Sequence, residues 1–297
     1  MKRALVALVL FVLGLPVLLA DIAEIAAKAD QLHEQELYDQ VRNFLEVSLG
    51  QAKTGQERAE LDWRLARAWL NLGDQAEDQG ITGSELLAFF EQGQANAQAA
   101  IDEDPSNHLG YYWLSANIGR WGQIKGILNS LFKAKPMRDL LQKAVALKPD
   151  HADSYYVLGQ LYEQVPGFPL SFGDKDFAVS LGRKSVDLHS QQVQAGIEKE
   201  LNYDFYTELA KHLWERNFTA AKRQQEQKRN LAKYNAATDP MEKNFYYEAV
   251  VTLQPVADRV EARQLISWVI SGLEQIPNRD DGQEDDLKEA QEVQAGW

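Results

Sequence analysis

The sequence predicts an all-α protein, a superhelical solenoid of about four to five helix-turn-helix units closed by a C-terminal capping helix. An internal repeat is the first reason. Pro105 and Pro149 each stand six residues before a Tyr-Tyr pair, Tyr111-Tyr112 and Tyr155-Tyr156, and nine before a Leu with a small neighbour, Leu114-Ser115 and Leu158-Gly159. The second reason is what precedes those prolines: Ala97, Ala100 and Ile101, then Leu141, Ala144 and Leu147, spaced as on one helix face and halted by the proline. Composition is the third, because 45% hydrophobic and 25% charged residues describe a folded globular chain.

Composition also excludes several chemistries. With no Cys among the 297 residues, disulfides, thiolate metal sites and Cys nucleophiles are ruled out. A net charge of −13 argues against nucleic acid, which requires a basic surface. The five His show no helical metal spacing, so neither a metal nor a cofactor is expected.

Along the chain, Lys2 and Arg3 precede an uncharged run from Ala4 to Ala20. Residues 1–20 therefore read as a secretory signal peptide or, if uncleaved, as an N-terminal anchor, the only expected membrane contact. Both readings put the remainder outside the cytoplasm: periplasmic or secreted, or held at the inner membrane.

Residues 21–237 carry the repeats. The first unit has Ala29 and Leu32, then Val41, Leu45 and Ser48; the second has Leu65-Ala66 and Trp69, then Ala97, Ala100 and Pro105. In the third, Leu114-Ser115 and Ile118 are followed by Leu141, Ala144 and Pro149; in the fourth, Leu158-Gly159 and Tyr162 by Ala178, Ser185 and Leu188. A degenerate fifth has Leu209-Ala210 and Leu213, then Phe218 and Ala221.

This pattern resembles the tetratricopeptide repeat (TPR) family, whose first helix carries Leu-small and then an aromatic, and whose second helix carries Ala, a large residue and a stop proline. The resemblance covers roughly residues 23 to 235 and implies a TPR-like α-α solenoid with a concave binding face. The segment from Arg120-Trp121 to Leu147-Lys148-Pro149 is also similar to the repeat region of the regulators of microtubule dynamics. The insert-bearing arrangement resembles the repeat subunits of tripartite solute transporters, although their lipid-anchoring Cys is missing.

Three units depart from the ordinary repeat length at one turn, over residues 73–87, 122–136 and 166–173, and the additions are expected to emerge along one edge. In the middle one, Trp121, Ile124, Ile127, Leu128, Leu131 and Phe132 form an amphipathic stripe beside the basic Lys125, Lys133, Lys135 and Arg138. The last, rich in Pro and Gly with Phe168 and Phe172, reads as a loop. Residues 238–276 contain a capped helix start at Asp239-Pro240 and an amphipathic helix from Val260 to Ile276, the expected cap. Residues 277–297 are dominated by acidic side chains and read as a disordered tail.

Helix geometry converts the alignment into faces. With the small residue of each first helix at zero, positions −3, +1 and +5 lie at about +60°, +100° and +140°, away from the packed stripe. They are Trp63, Arg67 and Asn71 in the second unit, Tyr112, Ala116 and Arg120 in the third, and Tyr156, Gln160 and Gln164 in the fourth. The column is aromatic with two Arg, unlike the Lys and Asn clamp with which chaperone-binding TPR proteins hold a terminal carboxylate. Aromatic side chains supply contact area at low entropic cost, so a protein or peptide segment is the expected partner, with packing on neighbouring helices the competing explanation. The second functional reading is a carrier for an apolar small molecule.

No catalytic set stands out. The pairs Glu34 and Glu36, Asp102 and Asp104, and Glu198 and Glu200 read as solvated faces or turns, and His108 and His151 as turn residues after the stop prolines. A phosphate loop, a nucleophile elbow and a His-Glu-x-x-His spacing are all missing, so no enzyme is expected.

Overall fold

The structure, a computed structural model, describes residues 21–297, and the segment read as a signal peptide or anchor lies outside them. Among the described residues there are thirteen α-helices and no strand, and the fold is a TPR-like α-α solenoid. The first unit pairs α1 (Ile22–Glu34) with α2 (Tyr38–Ser48), the second α3 (Gly55–Asp78) with α4 (Gly83–Glu103), the third α5 (His108–Lys125) with α6 (Ile127–Leu147), and the fourth α7 (Ala152–Gln164) with α8 (Lys175–Gln194). Local chemistry starts them. Thr54 and Glu57 form a reciprocal capping box on α3, Asn107 accepts from the amides of Leu109 and Gly110 on α5, and Asp174 accepts from those of Asp176 and Phe177 on α8.

Each first helix buries its small residue completely: Ala66, Ser115 and Ala210 are 0% exposed. At Gly159 the reason is explicit, because a Cβ there would stand 2.8 Å from His212 Nε2 and 3.4 Å from the Ala178 carbonyl. The flanking stripe fills the core between units, with Leu158, Tyr155, Leu141 and Leu181 wholly buried and Tyr162 boxed by Phe172, Phe177 and Phe245.

The lengthened units take two forms. Residues 73–87 and 122–136 are absorbed largely into longer helices, 24 residues in α3 and 21 in each of α4 and α6, so they extend the array instead of emerging as edge loops. Residues 166–173 do form a loop. The Gly173 amide donates to Pro166 O at 3.0 Å, and Gly173 admits no Cβ, which would lie 1.9 Å from Val165 O. Of its two aromatics, Phe168 is 94% exposed whereas Phe172 packs on Tyr162.

The fifth unit is assembled differently from the sequence expectation. α9 (Asp204–Arg216) packs not on the following α10 (Ala220–Ala236) but on the distant α12 (Asp258–Glu274), while α10 lies against the 3-10 turn Tyr247–Val250. A buried charge network makes the exchange. Arg216 binds Asp258 and Glu248, Arg183 binds Glu248 and Glu261, and Arg223 binds Asp258 and Glu261. The short α11 (Pro240–Asn244) is capped by Asp239 and delivers Asn244 to the Tyr155 hydroxyl at 2.9 Å.

The expectation of a disordered acidic tail at 277–297 is corrected. Asp280 and Gln283 form a capping box that opens α13 (Asp281–Ala295), Leu287 and Ala290 are buried against Val269 and Leu273, and Trp297 stacks on Trp214 at 4.4 Å. Asp281, Glu284, Asp285 and Glu292 are exposed, Glu289 turns to Lys211 of α9, and the sparse apolar residues, Leu287, Ala290 and Val293, share the inner face.

Two stability measurements follow from this packing. Gly159→Leu should cost about 1–3 kcal/mol or more through overpacking against His212, read as a lower melting temperature; an unchanged melt would disprove the close crossing. Removing residues 280–297 should cost at least about 2 kcal/mol by uncovering Val269 and Leu273, whereas loss of a disordered tail would leave the melt unchanged.

Candidate functional site

The concave side of the third and fourth units encloses a half-open cavity of about 500 Å³. One wall is α5, which contributes Tyr112, Trp113, Ala116, Ile118 and Arg120, and the facing wall is α7, with Tyr156, Val157, Gln160, Leu161 and Gln164. Leu131, Ala134 and Met137 of α6 form an apolar floor, α3 adds Leu70 and Asp74 at one rim, and α9 adds Asp204 at the other. A cavity of this size, apolar with a few convergent polar groups, has the general character of a ligand site.

Polar groups concentrate at its two ends. At one end the Tyr156 hydroxyl donates to Asp204 Oδ2 and accepts from Gln160 Nε2 at 3.0 Å. Burial above all, with the carboxylates of Glu208 and Glu289 and, more weakly, Asp286, pushes the Asp204 carboxyl up to about 7 against the lowering effect of the Tyr156 bond. Burial likewise raises the Tyr156 and Tyr112 hydroxyls well above the ordinary phenol value, so both rings are neutral donors at physiological pH. Tyr112 is held edge-on between Trp113 and His151, each 4.9 Å away.

At the other end, about 12 Å along α5 from Tyr112, Arg120 is saturated by Asp74 Oδ1 at 2.7 Å, Glu77 Oε2 at 2.6 Å and Gln123 Oε1 at 2.5 Å. Lys133 reaches the cavity from α6 and lies 4.9 Å from the Trp121 ring. Among the described residues no group of three or more His, Asp or Glu is placed to hold a metal.

The sequence-derived column therefore divides. Tyr112, Ala116, Arg120, Tyr156, Gln160 and Gln164 come together around the cavity. Trp63, Arg67 and Asn71 do not. Trp63 is 6% exposed, packed among Ala59, Ala100, Leu109 and Trp113, and its Nε1 donates to Glu60 Oε2 at 3.1 Å. Arg67 binds Asp30 at 2.5 Å and Asn71 donates to His33 Nε2 at 3.0 Å, so both pin α1 onto α3. Burial lowers His33 to about 4, leaving it neutral and able to accept. The inner face of the second unit is consumed by its neighbours, and the open surface begins at the third.

The α6 floor and Asp204 were missed. Asp204 stands six residues before Ala210, at about +120° on the face already counted, one turn nearer the helix start. Extending the count by that turn would have found it. In the floor, Leu131 belongs to the amphipathic stripe of the middle insert, whereas Ala134 and Met137 carry no signal that separates them from ordinary second-helix core.

Fold and cavity together define a TPR-like helical repeat protein. Comparison with known proteins refines this. Residues 25–168 match the family model described as regulator of microtubule dynamics protein 1-3. The chain is 28% identical over 133 residues to regulator of microtubule dynamics protein 3 of Xenopus laevis, covering 45% of this chain and 28% of that one. It is 23% identical over 189 residues to the Bos taurus protein 3, covering 60% and 39%, and 28% identical over 143 residues to the Bos taurus protein 1, covering 47% and 41%. It thus spans less than half the length of these relatives. Among solved structures it is similar to a thermophilic TPR protein of Thermus thermophilus, with 15% identity, a TM-score of 0.49 and coverage of 78% of this chain and 100% of that one. Among the described residues no helix is long and apolar enough to cross a membrane.

The raised Asp204 pKa predicts a pH-dependent stability. Ionising the folded-state carboxyl is harder than ionising the unfolded one, so its contribution is most favourable below about pH 4 and is lost as pH rises towards 7. Asp204→Asn keeps an acceptor for Tyr156 and should raise stability by about 1–2 kcal/mol at pH 8 with little effect at pH 4. Denaturant titrations at the two pH values test this, and equal effects at both would refute it.

Proposed function

We propose that this chain is a non-enzymatic scaffold that binds a protein segment in the aromatic cavity between α5 and α7. The observation that carries the reading is the convergence of Tyr112 and Tyr156, one from each wall, on an apolar floor within a concave repeat surface. Two aromatic rings held by neighbours offer contact area already ordered before binding. The partner class agrees with the relatives' name, which attaches those proteins to microtubule dynamics. Placement outside the cytoplasm rests on residues 1–20 alone and draws nothing from the relatives, which are vertebrate proteins.

A second reading has its own observation. The cavity is about 500 Å³ and only half open, dimensions that also suit an apolar small molecule, as in a carrier or an accessory subunit of a solute transport system. Native mass spectrometry of purified protein separates the two, since a retained small molecule favours the carrier.

The scaffold reading is tested with the two rings. The double variant Tyr112→Ala, Tyr156→Ala should abolish partner capture in a pull-down while each single change lowers stability less than Tyr162→Ala, which removes a ring 5% exposed from the core at about 3–5 kcal/mol. If Tyr156→Ala is the more damaging, the ring belongs to the core and the binding role fails.

A further inference from the structure

The structure assigns a charge to the occupant: we infer that the cavity takes a peptide segment that brings a lysine or arginine side chain onto Asp204, with apolar neighbours of that residue against the α6 floor. This inference rests on the scaffold reading and names its ligand chemistry.

Four features of the site lead to it. Asp204 is the first residue of α9 and faces the cavity, yet among the described residues it forms no ion pair with Lys, Arg or His. The other charged groups around it are acidic or already matched. Glu208, one turn along α9, and Glu289 of α13 share Lys211, and Asp286 of α13 adds a further carboxyl. From α7 the facing groups are the neutral Tyr156 hydroxyl and the Gln160 amide. This end of the cavity is thus a negative, partly desolvated pocket, and of its two carboxyls without an ion pair among the described residues, Asp204 and Asp286, it is Asp204 that lines the cavity.

The opposite end is different in kind. Arg120, eight residues and about 12 Å along α5 from Tyr112, is cancelled by Asp74 and Glu77, and Lys133 sits on Trp121. Between the ends, Ile118, Leu131, Ala134, Met137, Val157 and Leu161 offer only apolar contact. A carboxylate in such surroundings gains more from a ligand cation than an exposed one would, because the attraction acts through less water. An occupant with a carboxylate at Asp204 would add a like charge to an already acidic corner, and a wholly apolar one would leave Asp204 unpaired.

The test uses three degenerate pools of capped heptapeptides, with Leu, Phe and Tyr randomised around a central Lys, Gln or Glu, titrated into the full protein. The Lys pool should bind at least about tenfold more tightly than the Gln pool, and the Glu pool most weakly. In Asp204→Asn the Lys preference should disappear while the protein stays folded and, at pH 8, is no less stable, which separates lost charge from lost structure. Wild-type affinity for the Lys pool should also fall by about tenfold between pH 8 and pH 6, as the carboxyl takes up its proton, with the Gln pool unchanged.

If all pools bind alike, and binding is lost in Tyr112→Ala, Tyr156→Ala, the cation is wrong and the scaffold reading stands. If the Glu pool wins, the Lys133 end dominates and the inference is overturned. If no pool binds while native mass spectrometry finds a retained small molecule, both the cation and the scaffold reading fall.

Discussion

The approach of helices at one small residue per unit sets everything else in this molecule. Ala66, Ser115, Gly159 and Ala210 occupy the same register and are fully buried, and at Gly159 the neighbouring His212 leaves no room for a Cβ. Because that register is held from unit to unit, the rotation of every first helix is held too. A side chain three positions earlier must then point to the concave side. Tyr112 and Tyr156 face one another across a cavity for this reason, and not because either ring is attracted to the other.

The end of the array is governed by a second constraint, charge burial. Arg183, Arg216 and Arg223 are nearly inaccessible, and each is matched by two carboxylates drawn from Glu248, Asp258 and Glu261. Isolated, any of these ions would cost several kcal/mol to bury. The network therefore works as a condition of assembly: α8, α9, α10 and α12 must all arrive for any of the charges to be tolerated. That explains why α12 takes the place beside α9 while α10 is turned outward, and it fixes the position of Asp204 at the start of α9.

Most of the fold was legible because it is local. The Tyr-Tyr and Leu-small pairs after Pro105 and Pro149 carry the repeat in adjacent residues, and angular counting alone placed six cavity residues. What failed was long-range. Trp63 satisfies the same count as Tyr112, but Leu109 and Trp113 of the next unit cover it; only coordinates reveal that. The partner of α9 lies more than forty residues away in sequence, joined through Arg216 and Asp258. The acidic C-terminus misled because its composition outweighed its period, and Leu287 and Ala290 were enough to seat a helix on α12.

Asp204 connects these levels. A carboxyl at this place is a burden on the fold, since its environment raises its pKa to about 7 and no cation among the described residues pairs with it. Asparagine would offer Tyr156 the same acceptor without the charge. A helix start does favour an acidic residue, at about 0.3–1 kcal/mol, yet Glu208, Glu289 and Asp286 oppose that preference here. The group is therefore set in a corner where folding disfavours its ionised form, on the rim of the cavity between the third and fourth units. Buried ion pairs elsewhere in the chain are closed within the protein; this one is left half complete, in the position where an incoming group would meet it.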